Sequence, residues 1–275
     1  MKMKGKKRTG LIAGLIIGYA LLEPYWHKVK RYKLSHTQIP EGFDGYKIAF
    51  LADIHFGRTL KSKTLRKMVD KVNDWEPDLV ILGGDYVMHK KHIYPCFKEL
   101  SRLKAKHGVH AVMGNHDVVE SFADTKKAMR LSNVNSINND ALWLEQNGDR
   151  IRLGGVGDMR TQTQNIEPTI KGTKFDDYII LVTHNPRYIY QLKPEDDINL
   201  ILAGHTHGGQ FSFIKHLSHI VPNFVDEATA LSYLSGYKEK NGRHVIVSNG
   251  MGTARFAMRI MTRPEMVYIT LNSTK

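Results

Sequence analysis

Residues 79–85, with the sequence Leu-Val-Ile-Leu-Gly-Gly-Asp, constrain the fold more than any other stretch of the chain. Residues 79–82 are apolar without alternation, so a strand formed by them must be covered on both faces. Gly83 and Gly84 let the backbone turn sharply and come close to whatever Asp85 contacts. The segment therefore predicts a buried strand that places a carboxylate at the edge of a sheet.

The same arrangement recurs at four other places. Apolar segments at residues 48–52, 109–113, 179–183 and 200–203 also lead into polar side chains. Strands aligned in one sheet bring their carboxyl ends to one edge, which is where open α/β sheets bind ligands. We therefore expect a polar cluster at that edge, formed by Asp53, His55, Asp85, Asn115, His184, His205 and His207.

The composition of this cluster indicates divalent metal ions. Carboxylate, amide oxygen and imidazole together suit ions of the Mn, Fe or Zn class better than Ca or Mg. No thiolate takes part, because the only cysteine, Cys96, lies in a predicted helix. Seven candidate ligands exceed the needs of one four-coordinate ion, and one carboxylate can bridge two ions about 3.5–4 Å apart. The sequence predicts two bound metal ions, with Mn favoured.

Five short blocks occur here in the order typical of the calcineurin-like metallophosphoesterase superfamily. They are D-x-H at residues 53–55, G-D at 84–85, G-N-H-D at 114–117, a single histidine after a strand at 184, and G-H-x-H at 204–207. The chain resembles this superfamily over about residues 46–210. Its hydrophobic N-terminus makes it similar to the membrane-associated bacterial phosphodiesterases of that group.

The resemblance implies a role for each block. The first metal would be bound by Asp53, His55 and His207, and the second by Asn115, His184 and His205. Asp85 would bridge the two. The implied fold is a four-layer αββα sandwich of two mixed sheets flanked by helices, which also suits a helix-linked first half and a hairpin-rich second half.

The resemblance also implies two catalytic residues. His116 would protonate the leaving group or stabilise the transition state, and Asp117 would orient its imidazole. Taken singly, the block residues have ordinary explanations: Asp53 and Asp85 can cap helices, and His184 can be a half-exposed histidine. Independent caps and turns, however, give no reason for five blocks in this order.

We therefore expect hydrolysis of a phosphoester, most of all a phosphodiester, by a hydroxide held between two metals. One alternative is a nuclease or a nucleotide or glycolipid pyrophosphohydrolase that uses the same site. A second alternative is a metal-stabilised scaffold domain of the cell envelope. The scaffold would predict loss of His116 or of a ligand, and none is missing.

The N-terminus differs in composition from the rest of the chain. Residues 1–33 carry nine Lys or Arg and one Glu, a net charge of +8 that leaves +5 of the total +13 for residues 34–275. This concentration argues against a nucleic-acid partner, which would call for basic residues throughout the body. We expect residues 1–33 to be a basic N-terminal segment and residues 34–275 to be the metallophosphoesterase domain.

Within that segment, basic residues precede an apolar run at residues 10–22, which is the layout of a signal peptide or signal anchor. The run is shorter than the roughly 20 residues that span a bilayer comfortably. An uncleaved segment would attach the protein to the cell membrane or envelope with the domain outside the cytoplasm, and cleavage would secrete it. A core helix of the domain is the remaining alternative.

Periodicity predicts the elements between the blocks. Helices are expected at residues 62–75, 95–106 and 121–131, the last opened by a capping box of Ser121 and Asp124. Asn147-Gly148 predicts the turn of a hairpin. Residues 159–176 are polar and are expected to form a lid or recognition loop, and residues 211–238 are expected to be loop-rich.

Overall fold

The computed structural model describes residues 2–211, 233–240 and 242–274 of the protein. The stretch expected to be loop-rich, residues 211–238, lies largely outside them. The α-helices within the described residues are α1 (Lys2–Leu22), α2 (Ser62–Asn73), α3 (Ile93–Leu100), α4 (Asn115–Leu131) and α5 (Glu167–Ile170). The strands are β1 (Lys28–His36), β2 (Lys47–Leu51), β3 (Leu79–Leu82), β4 (Val109–Ala111), β5 (Val134–Ser136), β6 (Asp140–Gln146), β7 (Asp149–Gly155), β8 (Ile179–Thr183), β9 (Leu200–Ala203), β10 (Gly236–Lys240), β11 (Arg243–Val247) and β12 (Glu265–Ser273).

The strands form two mixed sheets. The first has the order β1-β12-β2-β3-β4-β5 and the second the order β10-β11-β9-β8-β7-β6. In the first sheet only the β12 and β2 pair is antiparallel, and in the second the antiparallel pairs are β10 with β11 and β6 with β7. Parallel pairing of β2, β3 and β4 brings their carboxyl ends to one edge.

The sheets pack face to face, and other elements cover their outer faces. Leu79 and Ile81 of β3 lie in the core between the sheets, whereas Val80 and Leu82 pack on the opposite side with residues of the helices. A third apolar cluster covers the outer face of the second sheet around β8 and β9. Burial of both faces explains the uninterrupted apolar strands, and the predicted four-layer αββα sandwich is confirmed.

The predicted domain boundary after residue 33 needs correction. Strand β1 runs across it and pairs in parallel with β12 along its whole length, from Lys28 opposite Glu265 to His36 opposite Ser273. The sequence places the basic residues between positions 28 and 33 in the N-terminal segment, but lysines are common on edge strands, where they prevent association with other strands. The N-terminal boundary of the sandwich therefore lies before Lys28.

Helix α1 joins the sandwich at its C-terminal end. The carbonyl of Ala20 accepts a hydrogen bond from the amide of Arg259 (2.9 Å), and the carboxylate of Glu23 accepts one from the amide of Met261 (2.7 Å). Leu11 and Leu15 are 66% and 65% exposed, so the alternative of a core helix is wrong. Among the described residues, no helix has both the length and the apolar character needed to span a bilayer.

The other predicted elements are present with shifted bounds. The helix expected at residues 95–106 ends at Leu100, and the hairpin of β6 and β7 is confirmed, with Asn147 and Gly148 both at positive φ. Helix α4 begins six residues earlier than expected, because the Asn115 block itself opens it. The predicted cap at Ser121 marks a kink in that helix, where the amide of Asp124 donates to the Ser121 hydroxyl (3.3 Å).

Candidate metal centre

The predicted ligands come from both sheets and not from one. Asp53, Asp85 and Asn115 follow β2, β3 and β4 of the first sheet, whereas His184 and His205 follow β8 and β9 of the second. The carboxyl ends of these parallel strands meet at one end of the sandwich. The two facing sheets thus bring together residues that lie more than 150 positions apart in the chain.

One group of ligand atoms belongs to Asp53, His55 and His207, and these atoms lie within 4.8 Å of one another. The Nε2 atoms of the two imidazoles face each other at 3.0 Å, and Nε2 of His207 lies 3.6 Å from Oδ1 of Asp53. All three side chains are buried. Two buried imidazole nitrogens directed at one point beside a carboxylate match the donor set of a divalent transition metal.

A second group belongs to Asp85, His184 and His205. Nε2 of His184 lies 3.3 Å from Oδ2 of Asp85 and 3.1 Å from Nδ1 of His205. The other ring nitrogen of His184 donates to the carbonyl of Gly83 (2.8 Å). That hydrogen bond fixes the tautomer and directs Nε2 toward the group, as is usual for imidazoles that bind metals.

Asp85 joins the two groups. Its Oδ2 atom also lies 3.6 Å from Nε2 of His55, and its Oδ1 atom accepts a hydrogen bond from the amide of His116 (2.9 Å). Nearby, the buried Oδ1 atom of Asn115 has no hydrogen-bond partner among the described residues. A buried amide oxygen without a donor is costly, and a cation would satisfy it. The residues therefore fit the predicted metal centre.

The charges of this cluster are strongly coupled. Burial raises the pKa of Asp85, but the imidazoles of His184, His55 and His116 together outweigh burial and hold the pKa well below its ordinary value. For His184, burial lowers the pKa, whereas Asp85 and Asp53 raise it, and the result is a pKa of about 10. Burial raises the pKa of Asp53 to about 7. A proton on His184 thus occupies the position that a metal would take.

The other imidazoles of the cluster are neutral. Burial lowers the pKa of His55 to about 4 and that of His207 well below its ordinary value. Burial, and then the charges of His184 and Arg160 among others, lower the pKa of His205 to about 3. Neutral imidazole is the form that binds a metal.

The backbone of the site is strained. Five of the seven predicted ligands have φ between 43° and 70°, in the left-handed region: Asp53, His55, Asp85, His205 and His207. Each such residue costs about 1–3 kcal/mol, and strain of this kind is concentrated at functional sites. The strands end abruptly at these residues because each left-handed residue turns the chain and brings its side chain inward.

Two glycines permit this close packing. A Cβ atom on Gly114 would lie 2.2 Å from Oδ1 of Asp85, and one on Gly84 would lie 2.5 Å from the amide of Gly114. The φ of Gly84 is +90°. The close approach predicted at the end of β3 is therefore confirmed, and the neighbour that Gly84 approaches is the Asn115 block.

Asp117 does not orient His116, which corrects the role expected from the resemblance. Its Oδ2 atom accepts hydrogen bonds from the amides of Asp85 (2.7 Å) and Gly114 (2.9 Å), and its Oδ1 atom accepts one from the amide of Tyr86 (2.8 Å). Burial, followed by the charge of Asp85, raises the pKa of Asp117 to about 8. Its carboxylate ties the loop after β3 to the start of α4.

The imidazole of His116 borders the open part of the site. It stands edge-on to His55, with ring centroids 5.1 Å apart, and lies beside Asp85 and His55 in a third group of neighbouring ligand atoms. A cleft of about 360 Å³ is lined by His116 together with Asp85, Asn115, His205 and His207. Larger cavities of about 420 and 720 Å³ lie elsewhere, but neither contains any of the predicted ligands.

Sequence reasoning missed one residue that supports this site. The guanidinium of Arg259 is fully buried and donates to the carbonyls of Asn249 (2.7 Å) and Thr262 (2.6 Å), and its Nη2 atom lies 3.2 Å from Nδ1 of His207. It fixes the loop after β11 against His207. No local pattern distinguishes this arginine from a solvated one, because its partners are distant in sequence.

A buried cluster of carboxylates and imidazoles at the carboxyl ends of a four-layer αββα sandwich defines the class of metal-dependent phosphoesterases. A model of the calcineurin-like phosphoesterases matches residues 46–209, and the chain belongs to this family. Membership implies that the chain is a phosphoric ester hydrolase that uses divalent metal ions.

Proteins similar to this chain match most of its length. The metallophosphoesterase YkuE of Bacillus subtilis (strain 168) is 29% identical over 274 residues, which cover 96% of this chain and 92% of YkuE. A transmembrane protein with a metallophosphoesterase domain from Danio rerio is 27% identical over 257 residues, 89% of this chain and 57% of that protein. The chain also superposes on the solved structure of Haemophilus influenzae NAD nucleotidase (NadN) over 75% of this chain and 51% of the nucleotidase chain, with 12% identity and a TM-score of 0.49.

Proposed function

We propose that the protein hydrolyses a phosphodiester with two divalent metal ions, Mn²⁺ being favoured. The observation that carries the proposal is the position of Asp85, whose Oδ2 atom lies 3.3 Å from His184 and 3.6 Å from His55. Asp53, His55 and His207 would hold one ion, and Asn115, His184 and His205 the other. A single carboxylate between two separate imidazole groups is the arrangement that a bridging ligand requires.

When bound, the two ions lower the pKa of the attacking water and neutralise charge on the phosphoryl oxygens. A residue of the chain would assist departure of the leaving group. His116 borders the cleft beside the bridging carboxylate and would protonate the oxygen that leaves. Its backbone amide donates to Oδ1 of Asp85 (2.9 Å), and one of its ring nitrogens lies near the ligand atoms of Asp85 and His55. The imidazole would thus stand next to the reacting group without belonging to either proposed ligand set.

Two rival functions make different demands. A nuclease or a nucleotide or glycolipid pyrophosphohydrolase would use the same ligands on a different anion, and the substrate alone separates it from the proposed diesterase. A scaffold domain would have no use for His116 at the mouth of the cleft. The intact ligand set and the placement of His116 favour an enzyme.

We further propose that the N-terminal segment attaches the protein to a membrane surface, with the domain outside the cytoplasm. Helix α1 exposes an apolar surface, and Tyr25 and Trp26 just beyond it are 57% and 45% exposed. Amphipathic aromatic side chains favour the membrane interface, and the basic residues of the segment favour anionic lipid. The relative from Danio rerio, named as a transmembrane protein, supports attachment to a membrane.

The test is an assay of the purified full-length chain, loaded with Mn²⁺, on phosphomonoesters, phosphodiesters, nucleotides and glycolipid pyrophosphates. We expect phosphodiesters to be hydrolysed fastest. Asp85→Ala should abolish activity and lower the metal content per chain, whereas Asp70→Ala, an exposed carboxylate on α2, should do neither. Two metals still bound to Asp85→Ala would contradict the bridge, and no activity on any ester would favour the scaffold.

A further inference from the structure

Two exposed arginines line the metal cleft in addition to the predicted ligands. They are Arg160, in the loop after β7, and Arg255, in the segment between β11 and β12. Within the part of the chain that the structure describes, neither guanidinium has a hydrogen-bond or ion-pair partner. Two unneutralised cations therefore border a cleft whose other wall carries His116.

Hydrogen bonds to a buried carboxylate fix the backbone around Arg160. The fully buried carboxylate of Asp158 accepts hydrogen bonds from the amides of Arg160 (2.9 Å) and Thr161 (3.1 Å), and from the Thr161 hydroxyl (2.9 Å). An aspartate carboxylate that accepts from the amides two and three residues further on stabilises a turn. The loop expected to be a lid is thus held in one conformation at this point.

A chain of side-chain amides connects this turn to the metal centre. The amide of Asp158 and the side chain of Asn138 both donate to Oε1 of Gln162, at 3.1 and 2.9 Å. Asn138 in turn accepts a hydrogen bond from the amide of Met113 (2.8 Å), the residue before the G-N-H-D block at residues 114–117. The position of Arg160 is therefore tied to the loop that carries Asn115.

Arg255 is fixed independently. The guanidinium of Arg58 donates to the carbonyls of Ala254 (2.7 Å) and Arg255 (2.6 Å). Gln210 accepts a hydrogen bond from the amide of Ala254 (3.2 Å) and donates to the carbonyl of Phe256 (2.8 Å). Two different networks thus hold the two arginines at the same cleft.

We propose that Arg160 and Arg255 form an anion-binding subsite that holds the phosphoryl oxygens of the substrate in the metal cleft. The proposal rests on the function proposed above and assigns its specificity-determining residues. The planar fork of a guanidinium matches the oxygens of a phosphoryl group, and charge-assisted hydrogen bonds are about twice as strong as neutral ones. An arginine whose backbone is already fixed also loses less entropy when it binds.

The experiment measures binding of inorganic phosphate to the Mn²⁺-loaded full-length chain by calorimetry, together with metal content and steady-state kinetics. Arg160→Gln and Arg255→Gln should each weaken phosphate binding roughly tenfold. The double variant should weaken it by roughly the product of these two factors, because the two networks are separate. Metal content should stay unchanged, and KM should rise more than kcat falls. Arg130→Gln, a surface arginine on α4, is the matched control.

A second pair of variants tests how Arg160 is positioned. Gln162→Ala breaks the chain of amides without touching a charge, and it should reproduce part of the loss of Arg160→Gln. Combined with Arg160→Gln it should cause no further loss of phosphate affinity, because its effect acts through that guanidinium. A full additional loss in the double variant would assign Gln162 an independent structural role and would contradict the proposed positioning.

The outcomes separate this inference from the proposed function. If the loaded protein hydrolyses esters, and both arginine variants bind phosphate as tightly as the wild type, the subsite is wrong and the phosphoesterase stands. If the loaded wild type neither hydrolyses esters nor binds phosphate, both fail. Loss of metal in either arginine variant would also overturn the subsite, since the arginines would then support the ligands.

Discussion

The carboxylate of Asp117 accepts a hydrogen bond of 2.7 Å from the backbone amide of Asp85. This contact fixes a residue whose φ is 55°, in the left-handed region. Asp85 is therefore held in a strained conformation by a buried acceptor at the start of α4, the helix that follows the neighbouring strand β4. The contact connects the loops of two separate motifs and makes Asp117 a positioning residue for the bridging carboxylate.

The first prediction concerns Asp117→Asn. The amide side chain keeps one acceptor oxygen but turns an NH₂ group toward one of three backbone donors, so a buried donor loses its partner. We expect a loss of about 1–3 kcal/mol in the free energy of unfolding, reduced metal content, and equal loss of activity on all esters. Thermal unfolding and metal analysis check this, with Asp124→Asn, a more exposed carboxylate on the same helix, as control. Full metal content in the Asp117 variant would contradict it.

The second prediction concerns proton release on metal binding. The pKa of Asp53 is raised to about 7 and that of His184 to about 10, so at neutral pH both hold protons for part or all of the time in the metal-free protein. A metal must displace those protons, and its apparent affinity should fall up to tenfold per pH unit for each proton displaced as pH decreases. Titration of Mn²⁺ in buffers of different ionisation enthalpy, between pH 6 and 8, measures the release directly.

The same pKa values determine whether the stability of the metal-free protein rises or falls with pH. The pKa of His184 is raised in the folded state, so its protonated imidazole contributes to the stability of the fold. That contribution is fully present below pH 6.5, the pKa of histidine in the unfolded chain, and is lost as pH rises toward 10. Asp53 is a buried acid with a raised pKa, and its ionisation also opposes folding, with a penalty that grows until about pH 7 and then stays constant. Stability of the metal-free chain should therefore fall from pH 6.5 to 9, and Mn²⁺ should restore it. A flat profile would contradict the coupling.

The sequence predicted the residues of the centre because each one lies in the short loop that follows a buried apolar strand, as Asp85 lies beyond residues 79–82 and two glycines. What could not be predicted depends on contacts between distant segments. Asp117 lies in a motif, yet its partners are amides of the neighbouring motif. Arg259 is among the largest fully buried side chains, although nothing around it in the sequence is typical of a buried cation. Strand β1 was missed because an edge strand tolerates alternating lysines.

The third prediction follows from the place of β1. Deleting residues 1–18 should keep the sandwich intact, because the hydrogen bonds of Ala20 and Glu23 remain, but it should abolish binding to anionic vesicles. Deleting residues 1–33 removes most of β1 and exposes the edge of β12, so it should lower the melting temperature strongly or prevent folding. Vesicle sedimentation and thermal unfolding of both truncations check this. Equal stability of the two truncations would show that β1 is dispensable.

The last prediction concerns His116, which borders the cleft and whose amide, not its ring, bonds to Asp85. A positioned general acid contributes typically about 10²–10⁴-fold, and the contribution grows as the leaving group becomes more basic. His116→Ala should therefore keep its metal content, lose activity by about this factor on an alkyl phosphodiester, and lose much less on a nitrophenyl ester, whose phenolate departs without a proton.

The control is His89→Ala, an exposed histidine outside the metal cleft, which should behave as the wild type on both esters. Asp117→Asn provides the contrast. Because Asp117 positions Asp85 and not the imidazole, its loss should be the same on both esters, whereas that of His116→Ala should depend on the leaving group. Equal losses on the two esters in His116→Ala, or loss of a metal, would exclude the acid role and leave His116 as a ligand or a substrate-binding residue.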